Sequence, residues 1–468
     1  MIVKGAFMVS ARFSARLRSI CLVAGFFAVL SCFAVARAQD VAVLTSEHGP
    51  NSAEQQKKHY VILVSLDGFR YDYAEKYRAE HLNALAKAGA TAPAGMIPAY
   101  PSLTFPNHYT LATGLYPEHH GIVANSFYDP QRKQTYRLGD AATVTDGSWY
   151  GGTPIWVLAE QQGMRAACFF WPGSEAEIQG TRPSYYLKYD DKVADDKRVE
   201  QVLAWLRLPA EKRPHLITLY FADVDHMGHE HGPDSEEVRA AVQLVDKEIG
   251  LLEKGLAELH LPVDVIVVSD HGMAQVQGDW ITLDEYFPDA RAFEKIVSPA
   301  LYAKSEADAQ RAYEALNGKS DKFEVYRRAQ MPAALHADSN PRSGDPIVVT
   351  NGPYLVRYSA PAQQAAPQGA STGSAMSAEH KQVGAHGFDP ARVPDMKASF
   401  FAMGPDIRSG VTVEPFENVD VYPLVAKLLG LDIAHLKTGA IDGELRPLQP
   451  ILVESAVESP KAARKAAN

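Results

Sequence analysis

Cysteine is scarce in this 468-residue chain, with one at each of positions 21, 32 and 168. Two of the three fall in the first 38 residues, a stretch that does not read as part of the fold. There Lys4, Arg12, Arg16 and Arg18 precede an apolar run from Ile20 to about Ala36, and Ala36-Arg37-Ala38 is a small-x-small site. This is the pattern of a secretory signal peptide, with cleavage predicted between Ala38 and Gln39 and a secreted or periplasmic product. The apolar run is short for a membrane span, so no stable span is expected after cleavage. Lipid anchoring at Cys32 is the weaker alternative, because Leu30 in Val29-Leu30-Ser31 suits that pattern poorly. With only Cys168 left, an exported chain has no internal disulfide and depends on its core.

Positive charge is also in deficit. The leader carries five of the 46 Lys and Arg and none of the 56 Asp and Glu, so what remains has a formal charge of −15. That balance argues against general nucleic-acid binding, which draws its affinity from basic contacts to phosphates. An anionic substrate would need a locally positive site, and metal ions are the obvious source. No internal repeat is visible. The low-complexity loop 360–380 and the Ala/Lys/Arg-rich tail at 456–468 lack the apolar residues to fold.

What the chain does have is an alternation of short apolar runs with helical patterns. Tyr60 to Leu66, Ala166 to Phe170, Leu216 to Phe221, Val263 to Ser269 and Ser399 to Met403 read as buried strands. Apolar residues from Val238 to Leu259 recur at three- and four-residue steps, which predicts a helix, with Asp234 and Glu237 at its capped start. The order implies an α/β fold: a mostly parallel central sheet with helices on both faces, filling residues 39–455. Residues from about 277 to 385 are expected to form an inserted subdomain.

Ligands of such sheets gather beyond the carboxyl ends of the strands, and polar residues fall there. Asp67, Asp225, Asp270 and His271 follow apolar runs, His229 stands four residues after Asp225, and His386 lies in GAHGFDP. Mixed Asp and His ligands without thiolate suit zinc in a hydrolytic site, and two clusters suggest two ions. Thr104, between Leu103 and Phe105 and followed by Pro-Asn-His, would on its own be a strand residue. Beside divalent ions its hydroxyl becomes a nucleophile. Pro106 suits a first helical turn, which would put Thr104 at a helix N-terminus whose N–H groups favour anions.

SLDGFR (65–70), TFPNHYTLATGLYPEHHGI (104–122), FWPGSEAEI (170–178), the run from RPHLITLYF to DHMGHEHGP (213–233), VIVVSDHGM (265–273) and HGFDP (386–390) occur in this order. Together they resemble the nucleotide pyrophosphatase/phosphodiesterase family of the alkaline phosphatase superfamily, from about Val61 to Gly430. The resemblance implies that Thr104 attacks phosphorus and forms a phospho-threonine intermediate. It implies one zinc held by Asp67, Thr104, Asp270 and His271, a second zinc held by Asp225, His229 and His386, and an Asn125 amide donating to a nonbridging phosphate oxygen. Phe105 and Tyr220 match the nucleotide-base contacts. The family commonly has Pro-Asp-Ser-Ser-Gly-His where this chain has Val224-Asp225-His226-Met227-Gly228-His229, which keeps Asp and His at the same spacing. Asp223, His226 and His231 compete as ligands.

The implied substrates are small phosphodiesters, including nucleotide diesters and pyrophosphates cleaved to nucleoside 5′-monophosphates. Monoesterases of the superfamily add cationic side chains, whereas FFWPGSEAEI is acidic. Lipid-headgroup diesters are the nearest alternative, and a phosphomonoesterase or phosphonate hydrolase on the same fold is the next. No protein partner is inferable.

Overall fold

A computed structural model describes residues 41–359 and 383–454. The expected signal peptide with its cleavage site, the 360–380 loop and the 456–468 tail lie outside the described residues.

Nine strands form the central sheet. In chain order they are β1 (Leu44–Thr45), β2 (Tyr60–Leu66), β3 (Ala90–Thr91), β4 (Ala166–Phe169), β5 (Tyr185–Tyr186), β6 (Leu216–Phe221), β7 (Val263–Val268), β8 (Phe400–Met403) and β9 (Val411–Thr412). Across the sheet the order is β1-β5-β4-β6-β2-β7-β8-β3-β9. The run from β5 to β7 is parallel. β8 lies antiparallel to both β7 and β3, a direction that a continuous apolar run does not encode.

Every residue of β2, β6 and β7 is buried, as a parallel strand covered on both faces requires. Val61 and Leu63 share a core cluster with Tyr109, Trp156 and Leu424. Those three lie on α2 (Thr104–Thr113), α3 (Ile155–Gln161) and α7 (Val421–Leu429), which therefore cover one face. Ile62 and Val64 point the opposite way. That second face falls to the helices α1 (Glu80–Ala88), α4 (Asp195–Leu206) and α6 (Glu236–Leu259), with α6 packed against each of the other two.

α6 follows the expected periodicity, with Val238, Ala241, Val242, Val245, Ile249 and Leu252 buried. Its cap differs from expectation. Ser235, directly before the first helical residue, accepts the Val238 N–H at 3.2 Å, while Asp234 one position earlier pairs with Arg70 and Lys76.

Within 277–359, the strand pairs Phe293–Val297 with Ala300–Ala303 and Phe323–Tyr326 with Ile347–Thr350 are antiparallel. Ile281, Leu283, Phe287, Leu301, Leu316 and Phe323 gather there in a separate apolar cluster. No helix among the described residues is long and apolar enough to cross a membrane.

Candidate active site

The carboxyl ends of β2, β6 and β7 meet at one place, and each delivers acid or imidazole there. β2 ends in Asp67-Gly68. Gly68 has φ +66°, and a Cβ on it would stand 2.9 Å from the Asp225 Cα, so the turn that presents Asp67 requires glycine. β6 leads into α5 (Asp223–His231), whose period places Asp225 and His229 on one inward face. His226 and His231 are exposed on the outer side. β7 delivers Asp270 and His271, and the segment after Gly384–Ala385 delivers His386.

The seven residues converge. His271 Nε2 lies 3.0 Å from Asp270 Oδ2, 3.5 Å from Asp67 Oδ1 and 3.3 Å from Thr104 Oγ1. His229 Nε2 lies 3.4 Å from Asp225 Oδ1 and 3.1 Å from His386 Nε2, and His386 stands 3.5 Å from the same Asp225 oxygen. The His271 and His386 rings stack at 3.6 Å, so His271 belongs to both clusters.

The hydrogen bonds around the site fix what each group offers. The Nδ1 atoms of His229, His271 and His386 donate to the carbonyls of Gly384, Gly272 and Ser102 at 2.9–3.0 Å. Each Nε2 is thereby the ring nitrogen turned toward the site, the arrangement usual for metal-binding histidine. Asp67 Oδ2 accepts the Tyr220 hydroxyl at 2.6 Å and Asp270 Oδ1 accepts the Gly68 N–H at 3.2 Å. What remains are Asp67 Oδ1, Asp225 Oδ1 and Asp270 Oδ2, all buried without a hydrogen-bond partner. Buried acceptors facing acceptors are costly unless a cation lies among them. Three orphaned carboxylate oxygens and three inward-facing imidazole nitrogens, with no thiolate, fit divalent ions of the zinc type.

The cluster's electrostatics are strongly perturbed: burial would lower His271, but Asp270 outweighs it and holds that ring above its ordinary value. Burial, then Asp270 and Asp225, push the Asp67 carboxyl well above its ordinary range. Burial would raise Asp270 too, but His271 and His108 outweigh it and hold that group well below the range. His386 is pushed down to about 3 by burial and by His271, which keeps its ring neutral and able to bind metal.

Thr104 opens α2 as expected. Of the N–H groups anticipated at the helix start, only that of Thr104 itself stays open, because the next three positions have theirs engaged or lack one. Phe105 N–H donates to Asn125 Oδ1 at 2.9 Å, Asn107 N–H donates to the Leu103 carbonyl at 3.1 Å, and Pro106 has no N–H. The Asn125 oxygen being taken, its NH₂ is the group left for a ligand. Phe105 is half-buried. Tyr220 is 7 % exposed and held by Asp67, while its edge-on neighbour Tyr189 is 37 % exposed.

His108, quoted in the motif but given no role, is fully buried one turn beyond Thr104. Its Nδ1 donates to the Thr104 carbonyl at 2.9 Å and lies 3.3 Å from Asp270 Oδ2, while Nε2 accepts the Ser65 hydroxyl at 2.8 Å. Both nitrogens are committed, so His108 braces the cluster without lending it a lone pair. Its i+4 spacing from Thr104 is the one sequence signal that could have found it. A separate cavity of about 340 Å³ between residues 119–121, 148–151 and 340–342 holds none of these groups.

The family model for type I phosphodiesterase / nucleotide pyrophosphatase matches residues 61–389. The chain belongs to this family. As a type I phosphodiesterase/nucleotide pyrophosphatase family member, it is 36 % identical over 386 residues to human ectonucleotide pyrophosphatase/phosphodiesterase family member 1, covering 79 % of this chain and 40 % of that protein. The chain thus spans less than half the length of the curated mammalian relatives it matches. A Schizosaccharomyces pombe protein named an uncharacterized pyrophosphatase/phosphodiesterase is 34 % identical, with 82 % of this chain and 79 % of that protein covered. Among solved structures, murine ectonucleotide pyrophosphatase/phosphodiesterase 5 superposes with a TM-score of 0.74 at 30 % identity, covering 84 % of this chain and 100 % of that one. An inactive threonine-to-alanine variant of that murine protein in complex with AMP matches equally well, with a TM-score of 0.74 at 30 % identity over 85 % of this chain and 100 % of that one. The family match agrees with the α/β architecture and with the motifs that carry the site.

Proposed function

We propose that this protein is a nucleotide pyrophosphatase/phosphodiesterase that works after export, with Thr104 as nucleophile and two zinc ions. The observation that carries this reading is the Thr104 hydroxyl, 3.3 Å from His271 Nε2, beside three buried carboxylate oxygens that lack partners. Asp67, Asp270, His271 and Thr104 would hold one ion; Asp225, His229 and His386 would hold the other. When bound, the ions lower the hydroxyl's affinity for its proton and offset charge on the phosphoryl oxygens.

The residues supply the rest. Thr104 Oγ1 attacks phosphorus and the bond to the leaving oxygen breaks, so the nucleoside monophosphate is carried on Thr104 until water displaces it. Asn125, fixed through its oxygen by Phe105 N–H, turns its NH₂ toward a nonbridging oxygen, a donor aimed before the reaction begins. Phe105 offers one partly exposed ring and Tyr189 another for stacking on a base. Tyr220 serves mainly by orienting Asp67.

The deciding comparison is turnover of a nitrophenyl ester of a nucleoside 5′-monophosphate against nitrophenyl phosphate and a lipid-headgroup diester, with zinc counted on the same preparation. The nucleotide diester is expected to be turned over fastest. A preference for the monoester or the lipid diester would overturn the reading.

A further inference from the structure

At the opposite ends of the same strands lies a second set of metal-competent side chains. His59 immediately precedes β2, Asp264 is the second residue of β7, and Asp406 sits in the loop after β8. One donor atom from each lies within 4.8 Å of the others. Six residues of extended chain put Asp264 about 20 Å from Asp270, well clear of the active centre.

His59 Nδ1 stands 2.6 Å from Asp406 Oδ2. Asp406 N–H donates to Asp264 Oδ1 at 3.0 Å, pinning the loop to the strand. The loop lies directly on this carboxylate: a Cβ on Gly404 would come within 2.2 Å of Asp264 Oδ1. Asp264 itself is 0 % exposed, and its Oδ2 has no hydrogen-bond partner. A strand that buries a carboxylate with one oxygen unsatisfied, beside a second carboxylate and an imidazole, leaves negative charge to be neutralised.

We propose that His59, Asp264 and Asp406 bind a third divalent cation of the zinc class, a structural site that clamps the amino-terminal ends of β2 and β7 to the loop after β8. One imidazole nitrogen and two carboxylate oxygens suit zinc, and the His59 side chain, 37 % exposed, leaves a side open for a water ligand and for entry. An ion that binds only the folded chain raises its stability in proportion to the logarithm of free metal.

The test is anomalous diffraction at the zinc edge on the full chain, with bound zinc counted for wild type, Asp264→Asn and His59→Ala. A peak at this cluster is expected in the wild type, with one equivalent lost in each variant and nucleotide-diester turnover within about twofold of wild type. Asn imitates a protonated carboxyl, so the variant separates a shared ion from a shared proton. No peak at saturating zinc, or equal zinc counts in all three proteins, would overturn the proposal and assign the cluster to a proton held between two carboxyls. Should Asp264→Asn fail to fold, the half-exposed His59→Ala and the wild-type peak still decide. Because the readout is resolved by site, its failure leaves the reading of the active centre untouched.

Discussion

Thr104 makes the sharpest claim on a single side chain. Thr104→Ala is expected to lower nucleotide-diester turnover by roughly four orders of magnitude or more, the scale on which covalent nucleophiles act, while binding at least one zinc. Unchanged turnover in that variant would remove Thr104 from the chemistry. Asn125→Ala is expected to cost about 10²–10³ in kcat with a smaller change in KM, because a preset donor acts on charge that develops in the transition state. For His108 two substitutions separate its two bonds. Asn at 108 can keep the donor that faces the Thr104 carbonyl and Asp270, whereas Gln reaches toward Ser65 instead. His108→Gln is therefore expected to weaken zinc binding about 10–100-fold, in the range of an outer-sphere partner, and His108→Asn much less, both read by chelator competition. Equal losses in the two variants would reduce His108 to packing.

Among the elements, the turn after β2 and the start of α6 give contrasting expectations. Gly68→Ala forces a side chain into the left-handed region and against Asp225, so both zinc affinity and turnover are expected to drop. Ser235→Ala removes only a helix cap and is expected to cost about 1 kcal/mol of stability with turnover unchanged; denaturant titration and a turnover assay separate the two effects. The same elements explain what the sequence could disclose. Five buried strands and the polar residues that converge beyond them stood out because a parallel α/β sheet writes continuous apolar runs and places polar side chains at their ends. The antiparallel direction of β8 and the two-residue edge strands were not legible, since pairing partners are chosen by tertiary contacts. Nor could sequence tell that the Tyr220 hydroxyl is given to Asp67, or that carbonyls of Gly272, Gly384 and Ser102 hold the imidazoles. These are distances between remote segments, and no local spacing encodes them.

For the molecule as a whole, the buried acids tie stability to pH and metal together. In metal-free protein the raised Asp67 carboxyl costs stability that grows as pH rises above its unfolded value, 3.8, because the folded site then resists ionisation. Asp270 has the opposite sign: its contribution is present above 3.8 and is lost as pH falls through its lowered folded value. A metal ion needs Asp67 ionised, so its binding releases a proton and strengthens with pH. The difference in Tm between zinc-loaded and chelated protein is therefore expected to widen from pH 5 to pH 8. A gap that stays constant would argue that Asp67 does not hold an ion. Chelation should also abolish turnover, with zinc restoring it.

His386 reaches the centre from beyond residues 277–385, more than a hundred positions after His271. A ribosome makes β2, β6, β7 and Thr104 long before it makes that third imidazole. A growing chain accordingly has Thr104 well ahead of the last member of the cluster, which is complete only late in synthesis, as a sign that the final quarter has docked.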